Sequence, residues 1–298
     1  MLTETVKAKM AAELRASSIV ETVLPADMLA HLDRVATEEL FVETRAGQTR
    51  CVLVTPDTAK PGGPLFVNIH GGGFVRGYQQ RDTVFCAFLA EKLGCKVLDL
   101  DYRLSPEHPF PTALHETYDV LQWVFDSAED LGVDPNRIAM GGHSAGGNLT
   151  AACCLLAVQQ GGKIPCLQIL SYPFLDAVTA PEEKIGNDPS IFTPERLHAF
   201  NDLHVPDQKD RQNPLMSPLL ADEADLAQLP PAYILIAGKD PLRHEAERYV
   251  ERLGAAGVRV SVDRFEQSDH GFLIANLAEF RTAQDGFVSA LRGAFETR

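Results

Sequence analysis

The sequence predicts an α/β fold with a mostly parallel central sheet that is flanked by helices and covered by a helical cap. Short runs rich in Val, Ile and Leu alternate with segments of helical periodicity, which is typical of strands buried on both faces. A second observation is a serine among four glycines in "GGHSAGGN" (141–148), between an apolar run and a helical segment. A third is the triple glycine of "NIHGGGF" (68–74), again at the end of an apolar run.

The apolar runs predict the strands and the periodic segments predict the helices. Strands are expected at 50–55, 64–70, 95–102, 137–142, 166–173, 232–238 and 259–266. Helices are expected at 83–94, 112–132, 145–161, 245–257 and 280–296. Several of these helical segments stop at glycine, which readily adopts the left-handed conformation that follows many helices.

Two stretches interrupt the alternation of strands and helices. Residues 1–45 are predicted to be helical and to precede the first strand, whereas 176–228 is a long polar segment with several prolines between two strands. Long loops in compact folds usually have a function, and ligands bind at the carboxyl edge of open α/β sheets. We therefore expect 46–298 to form the main domain, with 1–45 and the inserted segment 176–228 forming a helical cap over that edge.

Charge and cysteine usage narrow the class of protein. The chain has 27 Lys and Arg against 41 Asp and Glu, a net charge of −14, which disfavours nucleic acid as a partner. The first thirty residues carry charges throughout and lack the apolar run of a signal peptide or a spanning helix. We expect a cytoplasmic protein without stable membrane insertion. Its six cysteines show no CxxC spacing, which favours reduced thiols over disulfides or a zinc site.

The pentapeptide "GHSAG" (142–146) fits the pattern G-x-S-x-G between a strand and a helix. In that setting Ser144 occupies a strained strand-to-helix turn, and Gly142 and Gly146 let strand and helix approach closely. A serine hydroxyl is a poor nucleophile until a base takes its proton, so a histidine and a carboxylate to orient it are required. In this architecture they follow the serine in the order acid, histidine.

His270 in "EQSDHGF" follows the last predicted strand and is the predicted base. Asp240 lies directly after a fully apolar strand, at the edge where an orienting carboxylate is needed. Its competitors are Asp176, Glu266 and Asp269, the last of which is adjacent to the histidine and badly placed to reach its ring. A second role open to Asp240 is to cap the helix that follows it.

The triple glycine predicts a site for a tetrahedral oxyanion. Backbone N–H groups stabilise such an oxyanion, and glycine lets them come close to a ligand because no Cβ intervenes. The amides of Gly72, Gly73 and Ala145 are the candidate donors, with His70 shaping the loop by hydrogen bonds. The alternative is that these glycines form only a flexible turn.

Taken together, these motifs resemble the hormone-sensitive-lipase-like carboxylesterase family of the α/β-hydrolase fold. The resemblance spans about 70–275. The matching blocks are "HGGGF" (70–74), "DYRLSPEHPFPTAL" (101–114), "GHSAGGN" (142–148), "YPFLD" (172–176), "DPLR" (240–243) and "HGF" (270–272).

The resemblance implies a carboxylesterase that hydrolyses short- to medium-chain acyl esters without a cofactor or a metal. Ser144 is then the nucleophile, His270 the general acid and base, and Asp240 its orienting carboxylate, with the three amides named above as oxyanion donors. The implied partner is a small-molecule ester, and a homodimer through an edge strand is a habit of the family. Deacetylation, amide hydrolysis or lactone hydrolysis would use the same residues, and a receptor without catalytic activity is the alternative from another class.

The chain departs from the family pattern at two positions. His143 precedes the nucleophile where the family usually has an acidic residue, and His244 follows "DPLR" where an acidic residue is also usual. Because histidine titrates near neutrality, an imidazole in place of an anion can change the bracing of the loop near Ser144 and the pH profile, and the sequence leaves this effect open. His143 is not expected to act as the base, since adjacent side chains on a sharp turn point apart. With His244 in place of an acidic residue, the contacts of this position at the substrate edge or at the start of the helix are left open.

Overall fold

The computed structural model describes residues 2–17, 22–185 and 192–296. The strands found there are β1 (Val35–Thr44), β2 (Gly47–Pro56), β3 (Gly63–Ile69), β4 (Lys96–Asp101), β5 (Val133–His143), β6 (Gln168–Ser171), β7 (Ala232–Ala237) and β8 (Val260–Phe265). They form one sheet in the order β1-β2-β4-β3-β5-β6-β7-β8. The first two neighbour pairs are antiparallel and the remaining five are parallel, which confirms the predicted mostly parallel sheet.

Helices cover both faces of this sheet. The α-helices are α1 (Glu4–Ala16), α2 (Ala26–Leu29), α3 (Gln80–Leu93), α4 (Thr112–Asp126), α5 (Ala145–Gln160), α6 (Pro181–Ile185), α7 (Pro194–His204), α8 (Glu223–Leu226), α9 (Arg243–Ala255), α10 (Phe272–Ala275) and α11 (Phe280–Glu296). Short 3₁₀ helices span Ala30–Arg34, Gln208–Gln212 and Pro218–Leu220. All seven predicted strands and all five predicted helices are found, with boundaries shifted by a few residues.

The core follows from the alternation of side chains along each strand. In β3, Leu65, Val67 and Ile69 pack on the side of α4 and α5, whereas Phe66 packs on the opposite side with α3 and α11. All four side chains are fully buried, and each such burial contributes roughly 1.5–3 kcal/mol. A strand buried on both faces therefore needs the unbroken apolar run seen in the sequence.

The prediction of helix up to residue 45 is wrong over its last quarter, from residue 35 onward. Helical structure ends at Arg34, and Val35–Thr44 is a strand that forms a hairpin with β2 through a turn at Arg45 and Ala46. This outer strand buries only Val42, so it lacks the apolar run by which the other strands are recognised. Its acidic composition suggests a helix, but pairing with β2 decides its conformation.

The predicted inserted segment 176–228 divides into two parts with different neighbours. Its helix α7 lies beside α1, and both are near the carboxyl edge of the sheet. The later part packs on the flank of the sheet, where Leu219 and Leu226 join a cluster with α5 and α9. Residues 186–191 of the predicted segment lie outside the described residues. Only the earlier part is thus placed to cover a site at the sheet edge.

Arg15 of α1 connects this helix to the two loops below it. Its Nε donates to the carbonyl of Val75 at 3.0 Å, and its Nη2 donates to the carbonyl of Ser105 at 3.0 Å. The guanidinium also forms a two-pronged ion pair with Glu107, with N–O distances of 2.9 and 2.6 Å. Val75 lies two residues after the triple glycine, so α1 supports the loop that carries the candidate oxyanion donors.

Two observations concern membranes and metals. No helix in the described ranges is both long enough and apolar enough to cross a bilayer. Across the same residues no group of three His, Cys, Asp or Glu side chains is arranged to hold a metal ion. All six cysteines are free thiols, and five of them are buried.

Candidate active site

Ser144 occupies the single-residue junction between β5 and α5. Its φ and ψ are 56° and −112°, a left-handed conformation that is rare for a residue with a side chain. A Cβ at Gly142 would lie 2.4 Å from the backbone of Gly146, and one at Gly146 would lie 2.1 Å from the carbonyl oxygen of Ile69. The two glycines are therefore required by close packing of strand and helix, and the half-buried serine hydroxyl is held at the end of β5.

The structure brings the three predicted side chains into one hydrogen-bonded chain. The distance from Ser144 Oγ to His270 Nε2 is 2.8 Å, and the distance from His270 Nδ1 to Asp240 Oδ2 is 2.6 Å. His270 and Asp240 are 5% and 1% exposed, so solvent does not compete for the second contact. A carboxylate on Nδ1 fixes the proton there and leaves Nε2 free to accept one from the serine.

The other candidate acids are engaged elsewhere. Asp176 is buried and accepts hydrogen bonds from the amides of Val178 and Thr179 at 2.8 and 3.0 Å, as in a turn cap. Glu266 is exposed and forms an ion pair with Arg264 at 2.6 Å. Asp269 has no side-chain hydrogen bond to His270 among the described contacts.

Asp240 also fulfils the capping alternative. Its Oδ1 accepts a hydrogen bond from the amide of Leu242 at 2.9 Å, immediately before α9 begins. The same carboxylate thus uses one oxygen to start the helix and the other to face His270. The helix start holds the carboxylate in place, so the two roles support each other.

The triple glycine forms a loop with left-handed backbone angles. Gly72 and Gly73 have φ values of 118° and 61°, and the amides of Val75 and Arg76 donate to the carbonyl of Gly72 at 3.2 and 3.0 Å. Within the described residues, neither glycine amide donates a hydrogen bond to the protein. Ala145 is the first residue of α5, where amides have no partner inside the helix. Three donors are therefore available beside Ser144.

His70 lies beneath this loop and is 1% exposed. Its Nδ1 is 2.7 Å from the carbonyl oxygen of Gly71, which only accepts, so Nδ1 carries the proton. Its ring stacks on Tyr102 with 4.2 Å between centroids, and the Tyr102 hydroxyl donates to the His70 carbonyl at 3.1 Å. These contacts place His70 where it would shape the loop, as the sequence analysis expects.

The expectation that His143 titrates near neutrality is wrong. Its side chain is 1% exposed. The ring of Phe287 stacks on its imidazole and the ring of Phe85 meets it in a T-shaped contact. The Tyr172 hydroxyl is 3.4 Å from its Nδ1. Burial lowers the pKa of His143 to about 3, and the positive charge of Arg81 adds to the effect. The imidazole therefore stays neutral at ordinary pH, although His143 lines the same cavity as Ser144.

His244, the second departure from the family pattern, lies on the surface. It is in the first turn of α9 and its Nδ1 is 3.0 Å from the carboxylate of Glu247 three residues later. It does not line the cavity at Ser144. Its effect is therefore confined to the start of the helix.

A cavity of about 780 Å³, measured to its open mouth, lies above Ser144, His270 and the triple glycine. Most of its walls are apolar and come from the loops and from α7. The apolar wall residues are Phe74, Ala145, Phe174, Phe192, Leu197, Phe200, Leu242 and Ile274. Apart from Ala145, the sequence analysis names none of these as site residues, because their approach to the serine depends on how distant segments pack. Only the length of the inserted segment indicates that it walls a site.

Helix α7 contacts the glycine loop directly. A Cβ added to Gly73 would lie 2.4 Å from the ring of Phe200, and the ring of His204 stacks on Phe74 with 3.7 Å between centroids. Burial lowers the pKa of His204 to about 3, and its Nδ1 is 2.8 Å from the Ser105 hydroxyl. The close contact explains why glycine is needed at 73.

Comparison with known proteins supplies an independent line of information. Residues 66–274 match a protein-family model described as alpha/beta hydrolase fold. The chain is 39% identical over 218 residues to the carboxylic ester hydrolase LipN of Mycobacterium tuberculosis (strain H37Rv). The aligned region covers 70% of this chain and 57% of that protein. The chain is 36% identical over 222 residues to carboxylesterase NlhH of the same organism, covering 73% of this chain and 69% of the relative.

Solved structures of esterases are similar to this chain over nearly its whole length. The esterase of Pyrobaculum calidifontis superposes with a TM-score of 0.82 at 31% sequence identity. The superposition covers 98% of this chain and 94% of the esterase.

Proposed function

This chain belongs to the α/β-hydrolase family, and we propose that it is a serine carboxylesterase acting on short- to medium-chain acyl esters. The observation that carries the proposal is the continuous chain of hydrogen bonds from Asp240 through His270 to Ser144. It lies beside three backbone amides that donate to no partner among the described protein groups. The names of the related proteins, which are ester hydrolases, support the same reaction class.

In the first step we propose that Ser144 Oγ attacks the carbonyl carbon of the ester while His270 Nε2 takes the hydroxyl proton. The π electrons of the carbonyl move to its oxygen, which becomes an oxyanion. The amides of Gly72, Gly73 and Ala145 donate to this oxygen, and each such donor contributes about 3 kcal/mol to the transition state. Asp240 balances the positive charge that develops on the imidazole.

The tetrahedral intermediate then collapses to an acyl-enzyme. The bond between the carbonyl carbon and the alcohol oxygen breaks, and His270 Nε2 returns its proton to that oxygen. A water molecule next gives a proton to Nε2 and attacks the acyl carbon. Collapse of the second intermediate releases the carboxylic acid and restores the proton to Ser144.

The lining of the cavity supports an acyl ester as the substrate. Apolar side chains such as Phe174, Leu197 and Phe200 predominate in its walls, as they do in most small-molecule sites. The mainly apolar wall would desolvate an acyl chain. We also propose that the N-terminal helices and the described part of 176–204 act as the cap that closes this cavity.

Cellular placement and assembly stay predictions. A cytoplasmic location, the absence of a nucleic-acid partner and a homodimer are part of the proposal only on the grounds of charge, sequence and resemblance given above. Light scattering on the purified protein measures the assembly state directly.

The test of the reaction uses p-nitrophenyl acetate. Ser144→Ala should lower kcat by at least about a thousandfold, since the residual rate then comes from binding and the oxyanion donors alone. Ser289→Ala is a matched control on the exposed surface of α11. A Ser144→Ala protein with a native circular dichroism spectrum and full turnover would refute the proposal.

Substrate class is measured separately. A series of p-nitrophenyl esters from acetate to palmitate should show the highest kcat/KM among short and medium chains. Matched ester, amide and lactone substrates should show the ester as the preferred one. A clear preference for the amide or the lactone would replace carboxylesterase by one of the related activities.

A further inference from the structure

The cavity contains a buried positive charge that the proposed reaction does not use. Arg76 lines the cavity, is 8% exposed, and its Nε is buried without a hydrogen-bond partner. Among the residues that the structure describes, Arg76 forms no ion pair and no side-chain hydrogen bond. A buried guanidinium without a counterion is costly, so this arrangement needs an explanation.

The neighbouring side chains add positive charge around Arg76 and do not offset its own. Burial lowers the pKa of the Arg76 guanidinium, and the positive charges of Arg81 and Arg196 lower it further. Arg81 also lines the cavity, and its Nη1 donates to Thr22 Oγ1 at 3.1 Å. Arg196 donates to the hydroxyl of Ser17 at 3.0 Å. Both partners are neutral, so neither contact supplies a negative charge.

Asp82 is the one carboxylate that lines the same cavity within the described residues. Its Oδ2 accepts the amide hydrogen of Gln79 at 2.9 Å in the cap of α3. Burial raises the pKa of Asp82, while the charge of Arg81 and the hydrogen bond from the amide of Gln79 act in the opposite direction. Asp82 is thus part of the helix start, and it lies outside ion-pair distance of Arg76.

The position of Arg76 relates this charge to the reacting groups. Its amide donates to the carbonyl of Gly72 at 3.0 Å, and a Cβ on Gly72 would lie 2.4 Å from the Arg76 carbonyl oxygen. The guanidinium therefore extends from the same tight turn that presents the candidate oxyanion donors. It faces the cavity that also contains Ser144.

We propose that the cavity selects esters that carry a free carboxylate, such as half esters of dicarboxylic acids, and that Arg76 binds this carboxylate. The inference rests on the proposed function, because the ester group must lie at Ser144 while the carboxylate lies at Arg76. A guanidinium presents a planar fork of donors that matches a carboxylate with two parallel hydrogen bonds. The bound substrate supplies the counterion that the described protein groups do not provide.

The test compares esters that differ only in charge. Monoethyl adipate and ethyl hexanoate share the acyl chain length, and 4-acetoxybutyrate and butyl acetate place the same difference on the alcohol side. For each pair, the ratio of kcat/KM of the anionic ester to that of the neutral ester is measured in a pH-stat. Hydrolysis of the neutral esters by the unaltered protein tests the proposed function separately from this ratio.

Arg76→Gln removes the charge and keeps a side chain of similar shape. It should lower the anionic-to-neutral ratio by at least about tenfold in one of the two pairs, which corresponds to losing a charge-assisted hydrogen bond. Arg76→Lys should restore part of the ratio. Arg259→Gln, an exposed arginine at the opposite edge of the sheet, makes the same change in net charge and should leave the ratio unaltered. Equal ratios in Arg76→Gln and the unaltered protein for both pairs would overturn the proposal.

A second measurement avoids dependence on the folding of Arg76→Gln. The Ser144→Ala protein retains Arg76 and binds esters without hydrolysing them. By calorimetry it should bind the anionic member of at least one pair about tenfold more tightly than the neutral member, for the same reason. Equal or weaker binding of both anionic esters would contradict the assignment even if every arginine variant were unstable.

Discussion

Asp240→Asn is the substitution that examines the proposed hydrogen-bonded chain most closely. Asp240 is 1% exposed and uses both carboxylate oxygens, one toward His270 Nδ1 at 2.6 Å and one toward the amide of Leu242 at 2.9 Å. Asparagine has nearly the same shape but only one oxygen. If that oxygen keeps the bond to Leu242, the NH₂ group faces Nδ1 and requires it to accept. The imidazole proton then moves to Nε2, which can no longer take a proton from Ser144.

The size of the effect follows from the two orientations of the amide. Turning the oxygen toward Nδ1 restores the useful tautomer but gives up the bond to Leu242, at a cost of about 1 kcal/mol or more in a buried site. The negative charge that stabilises the imidazolium is lost in either orientation. We expect kcat to fall by about 10³- to 10⁴-fold, which equals about 4–5.5 kcal/mol of transition-state stabilisation.

The assay is steady-state hydrolysis of p-nitrophenyl acetate with unfolding by urea measured in parallel. Asp176→Asn is the matched control, because Asp176 is also buried but caps a turn and does not touch His270. It should retain kcat even if it loses stability. A folded Asp240→Asn protein with kcat within about tenfold of the unaltered enzyme would refute the reasoning, since this is far less than a wrong tautomer requires.

The remaining predictions concern the loop, a buried histidine and α1. Gly73→Ala places a Cβ 2.4 Å from an aromatic ring of α7 and should lower kcat/KM by about a hundredfold or more. Gly161 has the same left-handed backbone but open space around it, so Gly161→Ala should lower stability and leave kcat/KM unaltered. Because burial lowers the pKa of His143 to about 3, below its ordinary value of 6.5, unfolding takes up a proton as pH falls below 6.5. From pH 6 to 4, the free energy of unfolding in urea should therefore fall less steeply in His143→Phe than in the unaltered protein, by about 1.4 kcal/mol per pH unit. The acid limb of the kcat/KM profile should stay in place. An unchanged slope of stability against pH would contradict this. Arg15→Gln removes the hydrogen bond from α1 to the glycine loop, so amide hydrogen exchange should become faster in both segments. Lys9→Gln changes an exposed residue of the same helix and should leave exchange unaltered. Exchange rates in Arg15→Gln equal to those of the unaltered protein would contradict the proposed support.

The sequence predicts those parts of the fold and site that local pattern determines. The turn at Ser144 needs small residues on both sides, and Gly142 and Gly146 show this need in a single pentapeptide. The strand before Asp240 is apolar because both of its faces are buried, so the carboxylate at its end can be placed at the sheet edge. In these cases one short segment contains the physical reason for its own conformation.

Features that depend on distant partners could not be predicted in this way. Val35–Thr44 is a strand because β2 pairs with it, although its own side chains are mostly exposed. The pKa of His143 is set by aromatic residues such as Phe287, far away in the chain. Arg76 is unpaired because no acidic side chain among the described residues lies within ion-pair distance of it. Such distances cannot be read from a sequence pattern.

The central claim is that Ser144 becomes covalently acylated, and its most direct measurement is the site of labelling by diethyl p-nitrophenyl phosphate. Peptide mass spectrometry after complete inhibition should show one diethyl phosphate group per chain on Ser144, with labelling lost in Ser144→Ala. Complete inhibition with the label on another residue, or full labelling of Ser144 in a protein that still hydrolyses esters, would contradict the account.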